Sequence, residues 1–147
     1  MRLKPLVKPI SNPPRLSVCV PARNEARGIQ ACLQSLLNQD YPNFEVIAID
    51  DHSTDRTGDI MRILSQDNPR LKVFKAKDLP EDWLGKPFAL HQAFKIAQGE
   101  YLLFTDADPV FKPTALNTAV HAMRESCLLY TSPSPRDQRG SRMPSSA

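Results

Sequence analysis

Three cysteines in 147 residues, at Cys19, Cys32 and Cys127, are too few and too scattered for a disulfide framework or a CxxC zinc site. Cys19 falls in an expected strand and Cys32 in an expected helix, where both read as small core residues in a reducing, cytoplasmic compartment. Glycine is also scarce, at five residues, and no glycine-rich loop follows the first apolar run. That leaves no G-x-G-x-x-G for a nicotinamide enzyme, and no G-x-x-x-x-G-K-[ST] or G-x-S-x-G occurs anywhere. His52, His91 and His121 are not spaced as metal ligands. There is no signal peptide and no apolar run long enough to cross a bilayer. No stripe of Lys and Arg is present, so a nucleic-acid partner has no support.

What the chain does contain is an ordinary globular balance, 41% hydrophobic and 24% charged, in a length suited to one domain. Short apolar runs alternate with helical periods. Leu16–Val20, Phe44–Ile49, Leu71–Phe74 and Tyr101–Phe104 read as strands. Between them lie helices expected at about 26–38, with Ile29, Leu33, Leu36 and Leu37 inward, at about 56–66, with Ile60, Ile63 and Leu64 inward, and at about 88–97 before Gly99. Lys112-Pro113-Thr114 introduces a last helix from Ala115 to about Glu125. This order describes an α/β, Rossmann-like, mostly parallel sheet covered on both faces. Ligands of such sheets sit outside the carboxyl ends of the strands.

Two strands end in acid on that rim. Tyr101-Leu102-Leu103-Phe104 runs into Thr105-Asp106-Ala107-Asp108, and the second strand runs into Asp50-Asp51. Carboxylates at strand ends are costly unless something positive meets them. A D-x-D turn can grip a divalent cation that grips a diphosphate, with Asp108 on the metal and Asp106 on the ribose or an outer position around the metal. The alternative is a solvated polar turn. Asp51 can accept hydrogen bonds from a base or ribose, Asp55 can do so or cap a helix, and Glu25 beside Arg23 and Asn24 is a third acid. Lys86 reads as a phosphate partner at a helix start or an ordinary exposed Lys, and Trp83 as a loop anchor or a sugar platform.

Taken together, Val20-Pro21-Ala22-Arg23-Asn24-Glu25, Tyr41-Pro42-Asn43-Phe44-Glu45-Val46-Ile47, Asp50-Asp51-His52-Ser53-Thr54-Asp55, Gly85-Lys86-Pro87-Phe88-Ala89-Leu90 and Thr105-Asp106-Ala107-Asp108 resemble the family 2 glycosyltransferases. The similarity covers about residues 16–125. It implies the GT-A nucleotide-diphospho-sugar transferase fold and inverting transfer from a nucleotide-diphosphate sugar to an acceptor hydroxyl. It implies Mg or Mn as cofactor. By the same resemblance Pro21, Ala22, Arg23 and Glu25 line the base and ribose, Asp51 binds base or ribose, Lys86 approaches the nucleotide, Asp106 meets the ribose and Asp108 the metal. Trp83-Leu84-Gly85-Lys86 with Phe104–Asp108 is closest to the branch associated with hopanoid and carotenoid glycosylation, which admits a lipid acceptor. Two rivals are weighed. A phospho-receiver-like or nucleotide-binding domain needs its acid pair after the first strand, where Pro21-Ala22 stands. A sugar nucleotidyltransferase needs a glycine-rich loop there.

The domain expected is residues 16–126, preceded by an extended, proline-rich leader at 1–15. Residues 127–147 turn rich in Ser, Pro and Arg and read as disordered. Cys127–Asp137 and Ser141–Ala147 also resemble a translated transposase-type sequencing adaptor. The expectation is therefore an artefactual tail and a truncated domain. The family's catalytic base, acceptor-side loop and membrane segments would then lie beyond Ser126, leaving donor and metal binding without turnover. Membrane contact at the cytoplasmic face would belong to the full-length parent alone. The tail holds three Arg and one Asp, so the net charge of +3 falls to +1 without it and carries no message about partners.

Overall fold

The computed structural model describes residues 12–78 and 85–130, with backbone alone at 85–87, 90 and 126–130. Most of the leader, Trp83 and the chain from 131 lie outside the described residues. Four strands and four helices alternate: β1 (Leu16–Ala22), α1 (Ile29–Leu37), β2 (Phe44–Asp50), α2 (Thr57–Gln66), β3 (Leu71–Lys75), α3 (Gly85–Ile96), β4 (Tyr101–Phe104) and α4 (Ala115–Tyr130). The sheet order is β3-β2-β1-β4 and every pairing is parallel.

Parallel strands need helical crossovers, and the helices bury both faces of the sheet. Alternate residues of β1 and β2 therefore enter two separate clusters. Val18, Val20, Ala22, Val46 and Ala48 pack with Ile29, Cys32, Leu33 and Leu36 of α1, Met61 of α2, and Leu116 and Val120 of α4. Cys19, Ile47 and Ile49 pack with Ala89 and Ala93 of α3 on the other face. Small alanines let α3 lie close to the sheet.

Several boundaries differ from the sequence reading. Pro21 and Ala22 belong to β1, and α1 starts at Ile29 because Glu25–Gly28 form a turn, with the N–H groups of Gly28 and Ile29 both donating to the Glu25 carbonyl. Ile63 is 60% exposed, while Thr57, Gly58 and Met61 form the buried edge of α2. Gly58 permits this rotation: a Cβ there would collide with the Asp50 carboxylate. The last helix runs to Tyr130, past Ser126, since no proline intervenes before Pro133. No helix of the described residues is long and apolar enough to cross a membrane.

One buried acid was not anticipated. Glu45 lies inside β2, on the α3 face, with its side chain only 1% exposed. Ser17 Oγ donates to it at 2.5 Å, the Gln98 N–H at 2.7 Å and Lys72 Nζ at 2.9 Å. Burial alone would push its carboxyl up; the bonds from Lys72, Ser17 and Gln98 outweigh that and hold it below its usual range. The same acid ties the turn before β4 to β1, where the Gly99 N–H donates to Ser17 Oγ at 2.7 Å. Gly99 is required there, since a Cβ would stand 2.6 Å from the Ser17 backbone nitrogen.

Two outcomes follow. Glu45→Ala strands buried donors and should cost about 2–4 kcal/mol in urea unfolding at neutral pH. Because the native carboxyl is depressed, its stabilisation is full above the unfolded-state value of 4.5 and fades as pH falls through the lower native value. Melting temperatures across that acid range should fall less steeply for Glu45→Gln than for the wild type.

Candidate active site

The rim is set by where β1 loses a neighbour. Pairing with β4 ends at Cys19↔Phe104, whereas pairing with β2 continues to Ala22↔Asp50. The Cys19 carbonyl still accepts the Thr105 N–H at 3.1 Å, on the β4 side, and the Ala22 carbonyl accepts the Asp51 N–H at 2.8 Å, on the β2 side. Backbone groups in a parallel strand alternate sides, so Pro21 faces the β4 side, where no strand remains. A residue without an N–H sacrifices no ladder bond there. Beyond this point no ladder pairing joins the chains leaving β1 and β4.

The loop after β1 is locked to the loop after β2. Asn24 sits in the left-handed region at φ 54°, a conformation asparagine tolerates. Its Oδ1 accepts the N–H of Thr54 at 2.8 Å and of Asp55 at 3.3 Å, and its own N–H donates to Ser53 Oγ at 3.0 Å. The Glu25 N–H donates to Thr57 Oγ1 at 2.8 Å, and that hydroxyl donates to Asp55 Oδ1 at 2.5 Å. Asp55 also accepts the N–H of Thr57, at 2.9 Å, and of Ala26, at 3.3 Å. The Thr57 hydroxyl and N–H hold the Asp55 carboxyl below its usual range. Asp55 is thus a loop clasp and cap at the start of α2.

The acidic turn follows β4 directly. Ala107 is buried and anchors it, while Asp106 and Asp108 are exposed. The turn rests on the start of α1. A Cβ added to Gly28 would lie 3.7 Å from Asp108 Cα, and Cys32 Sγ donates to the Asp106 carbonyl at 3.7 Å. The Cys32 thiol reports the local field: burial, then Asp108, then Glu25 push it up to about 11. Asp108 and Glu25 thus both act on this thiol, Asp108 the more strongly.

Asp51 stands at the end of β2, its side chain 12% exposed, with His52 Nδ1 3.0 Å from Oδ1. Asp50 turns to its own loop and accepts the Ser53 N–H at 3.1 Å. Of the expected nucleotide residues, Arg23, Glu25, Asp51, Asp106 and Asp108 lie on the rim. The Ala22 side chain is part of the core beneath, because β1 extends two residues further than expected. Pro21 is likewise buried in β1, on the open side. Lys86 is in the first turn of α3, and its side chain lies outside the described residues. His52 and Thr57 belong to this rim although the sequence reading gave them no role; a histidine between two acids and a helix start was the available signal.

Among the described residues no three His, Cys, Asp or Glu side chains converge to cage a metal. The donor set is instead one or two exposed carboxylates on a braced turn. That fits a hard divalent cation that completes its oxygen shell from phosphates rather than from the protein.

The glycosyl transferase family 2 model matches residues 17–146. The chain belongs to this family. It is 30% identical over 110 residues to glycosyltransferase GlyG of Streptococcus pneumoniae, covering 75% of this chain and 35% of that protein. It is 30% identical over 112 residues to the GalNAc(5)-diNAcBac-PP-undecaprenol beta-1,3-glucosyltransferase of Campylobacter jejuni, covering 76% and 35%. Among solved structures, the mannosyltransferase PcManGT of Pyrobaculum calidifontis, in complex with GDP-Man and Mn2+, superposes with a TM-score of 0.66. It shares 35% identity over 80% of this chain and 35% of that one. The family member described here thus has the GT-A fold and spans about a third of the length of these relatives.

The loop clasp yields a graded outcome. Asn24→Ala loses both the bonds and the left-handed tolerance, and should destabilise by about 1 kcal/mol or more. Asn24→Gly keeps the backbone geometry and should cost less. The order of their thermal melts checks this.

Proposed function

We propose that residues 16–126 bind the diphosphate end of a nucleotide sugar at the rim between β1 and β4, as the donor half of an inverting glycosyltransferase. The observation that carries this reading is the packing of the acidic turn on the start of α1 and the loop after β1: a Cβ on Gly28 would lie 3.7 Å from Asp108 Cα, Cys32 Sγ donates to the Asp106 carbonyl, and the Gly28 N–H donates to the Glu25 carbonyl. Asp108, on its braced turn, is assigned the metal, and Asp106 the ribose. Arg23, Glu25 and Asp51 are assigned the base and ribose, Pro21 the open edge of that pocket, and Lys86 the nucleotide. When bound, Mg or Mn neutralises charge that grows on the departing diphosphate. The chain's own contribution is to fix the carboxylates in advance. The clasp of Asn24, Asp55 and Thr57 holds the β1 loop, Gly28 and Cys32 hold the acidic turn, and neither must reorganise on binding. The Mn2+ in the mannosyltransferase complex supports the metal assignment.

No acceptor-activating base is assigned among residues 16–126. The undecaprenol-linked relative supports a lipid acceptor. Trp83–Lys86 and Phe104–Asp108 support the hopanoid- and carotenoid-associated branch, whose members would act at the cytoplasmic face of a membrane.

Isothermal titration with UDP or GDP in the presence of Mn2+ tests the reading. Wild type should give a saturable, metal-dependent isotherm with at least one of the two nucleotides. Asp108→Ala should give no manganese-dependent heat while melting like the wild type. Silent titrations for both proteins with both nucleotides would refute retained donor binding.

A further inference from the structure

The second strand's terminal acid is held by its own neighbour. Asp51 is nearly buried, and His52 Nδ1 lies 3.0 Å from its Oδ1. An ionised carboxylate offers acceptors alone, so in this bond Nδ1 carries the proton. The opposite ring nitrogen, Nε2, faces the exposed carboxylate of Asp78 at 3.6 Å, beyond β3. A side chain adjacent in sequence reaches back only because the backbone reverses there: His52 has φ 61°, in the left-handed region. That conformation is uncommon for residues other than glycine, though histidine, like asparagine, is enriched in it. The loop is already clasped by Asn24, Ser53 and Asp55, so the imidazole is not needed to fold it.

We infer that His52 is a positioning residue for nucleotide recognition: it pins Asp51 Oδ1, so that Oδ2 is presented to a donor group of the base or ribose in one orientation. This rests on the donor-binding reading above, and extends it to a residue that touches no ligand itself. A carboxylate free to rotate loses that preference on binding and must be ordered each time.

The test uses the full chain and manganese-dependent UDP and GDP titrations, each paired with a thermal melt. His52→Gly suits the left-handed backbone and should melt close to the wild type, yet bind the nucleotide about five- to tenfold more weakly, the scale of one ordinary hydrogen bond. His52→Asn tolerates the same φ and can donate from Nδ2, and should recover most of the affinity. On an Asp51→Ala background, His52→Gly should cost no further affinity, because the residue it positions is gone. Wild-type affinity in His52→Gly, with Asp108→Ala still silent, would overturn this inference and leave donor binding intact. Equal losses in His52→Gly and His52→Asn would overturn it also, as would additive losses in the double variant. If the wild type itself binds neither nucleotide, the donor-binding reading fails and this inference fails with it.

Discussion

Everything on the rim depends on one topological fact: β1 is shared by two parallel neighbours up to Cys19 and by one thereafter. The parting leaves the β4 side of the last residues of β1 without a strand to pair with. It also explains Pro21, which would disrupt a fully paired central strand and does no harm on the open side. The start of α1, which follows β1, and the turn after β4 pack against each other. The two meet at Gly28, Cys32 and Asp108.

Holding acids at that edge requires that the loops be stiff. The stiffness comes from small polar side chains bonding to backbone N–H groups. Asn24, Ser53, Asp55 and Thr57 satisfy donors that have no helical or strand partner. The opposite end of the sheet is organised by one buried acid. Glu45 collects donors from β1, from β3 and from the turn before β4, and so fixes the strand that carries the acidic turn. The two ends thus use carboxylates differently: Glu45 is neutralised inside the protein, whereas Asp106 and Asp108 remain exposed to solvent.

Much of this was legible beforehand, because apolar strands bounded by polar turns announce a buried parallel sheet. Element order, the acidic strand ends and the family resemblance all came from local sequence. What escaped had a tertiary cause. Pro21 reads as a strand breaker until the missing neighbour is known. Ile63 fits a helical inner face, but Gly58 rolls α2 onto the end of β2 and leaves Ile63 outside. Glu45 looks like an interruption in an apolar strand, and only the fold brings Ser17, Lys72 and Gln98 around it. His52 has no periodic or spacing signature; its role depends on a backbone angle.

The central claim is that Glu25 and Asp108 face one space in which a diphosphate and a divalent cation are held together. Paramagnetic broadening of backbone amide resonances by substoichiometric Mn2+ locates that space directly. With UDP or GDP present, broadening should centre on Gly28 and residues 106–108, extend to Glu25 and spare residues 70–72 near Glu45. Broadening centred elsewhere, or identical with and without nucleotide, would contradict a cation held jointly by this turn and a diphosphate.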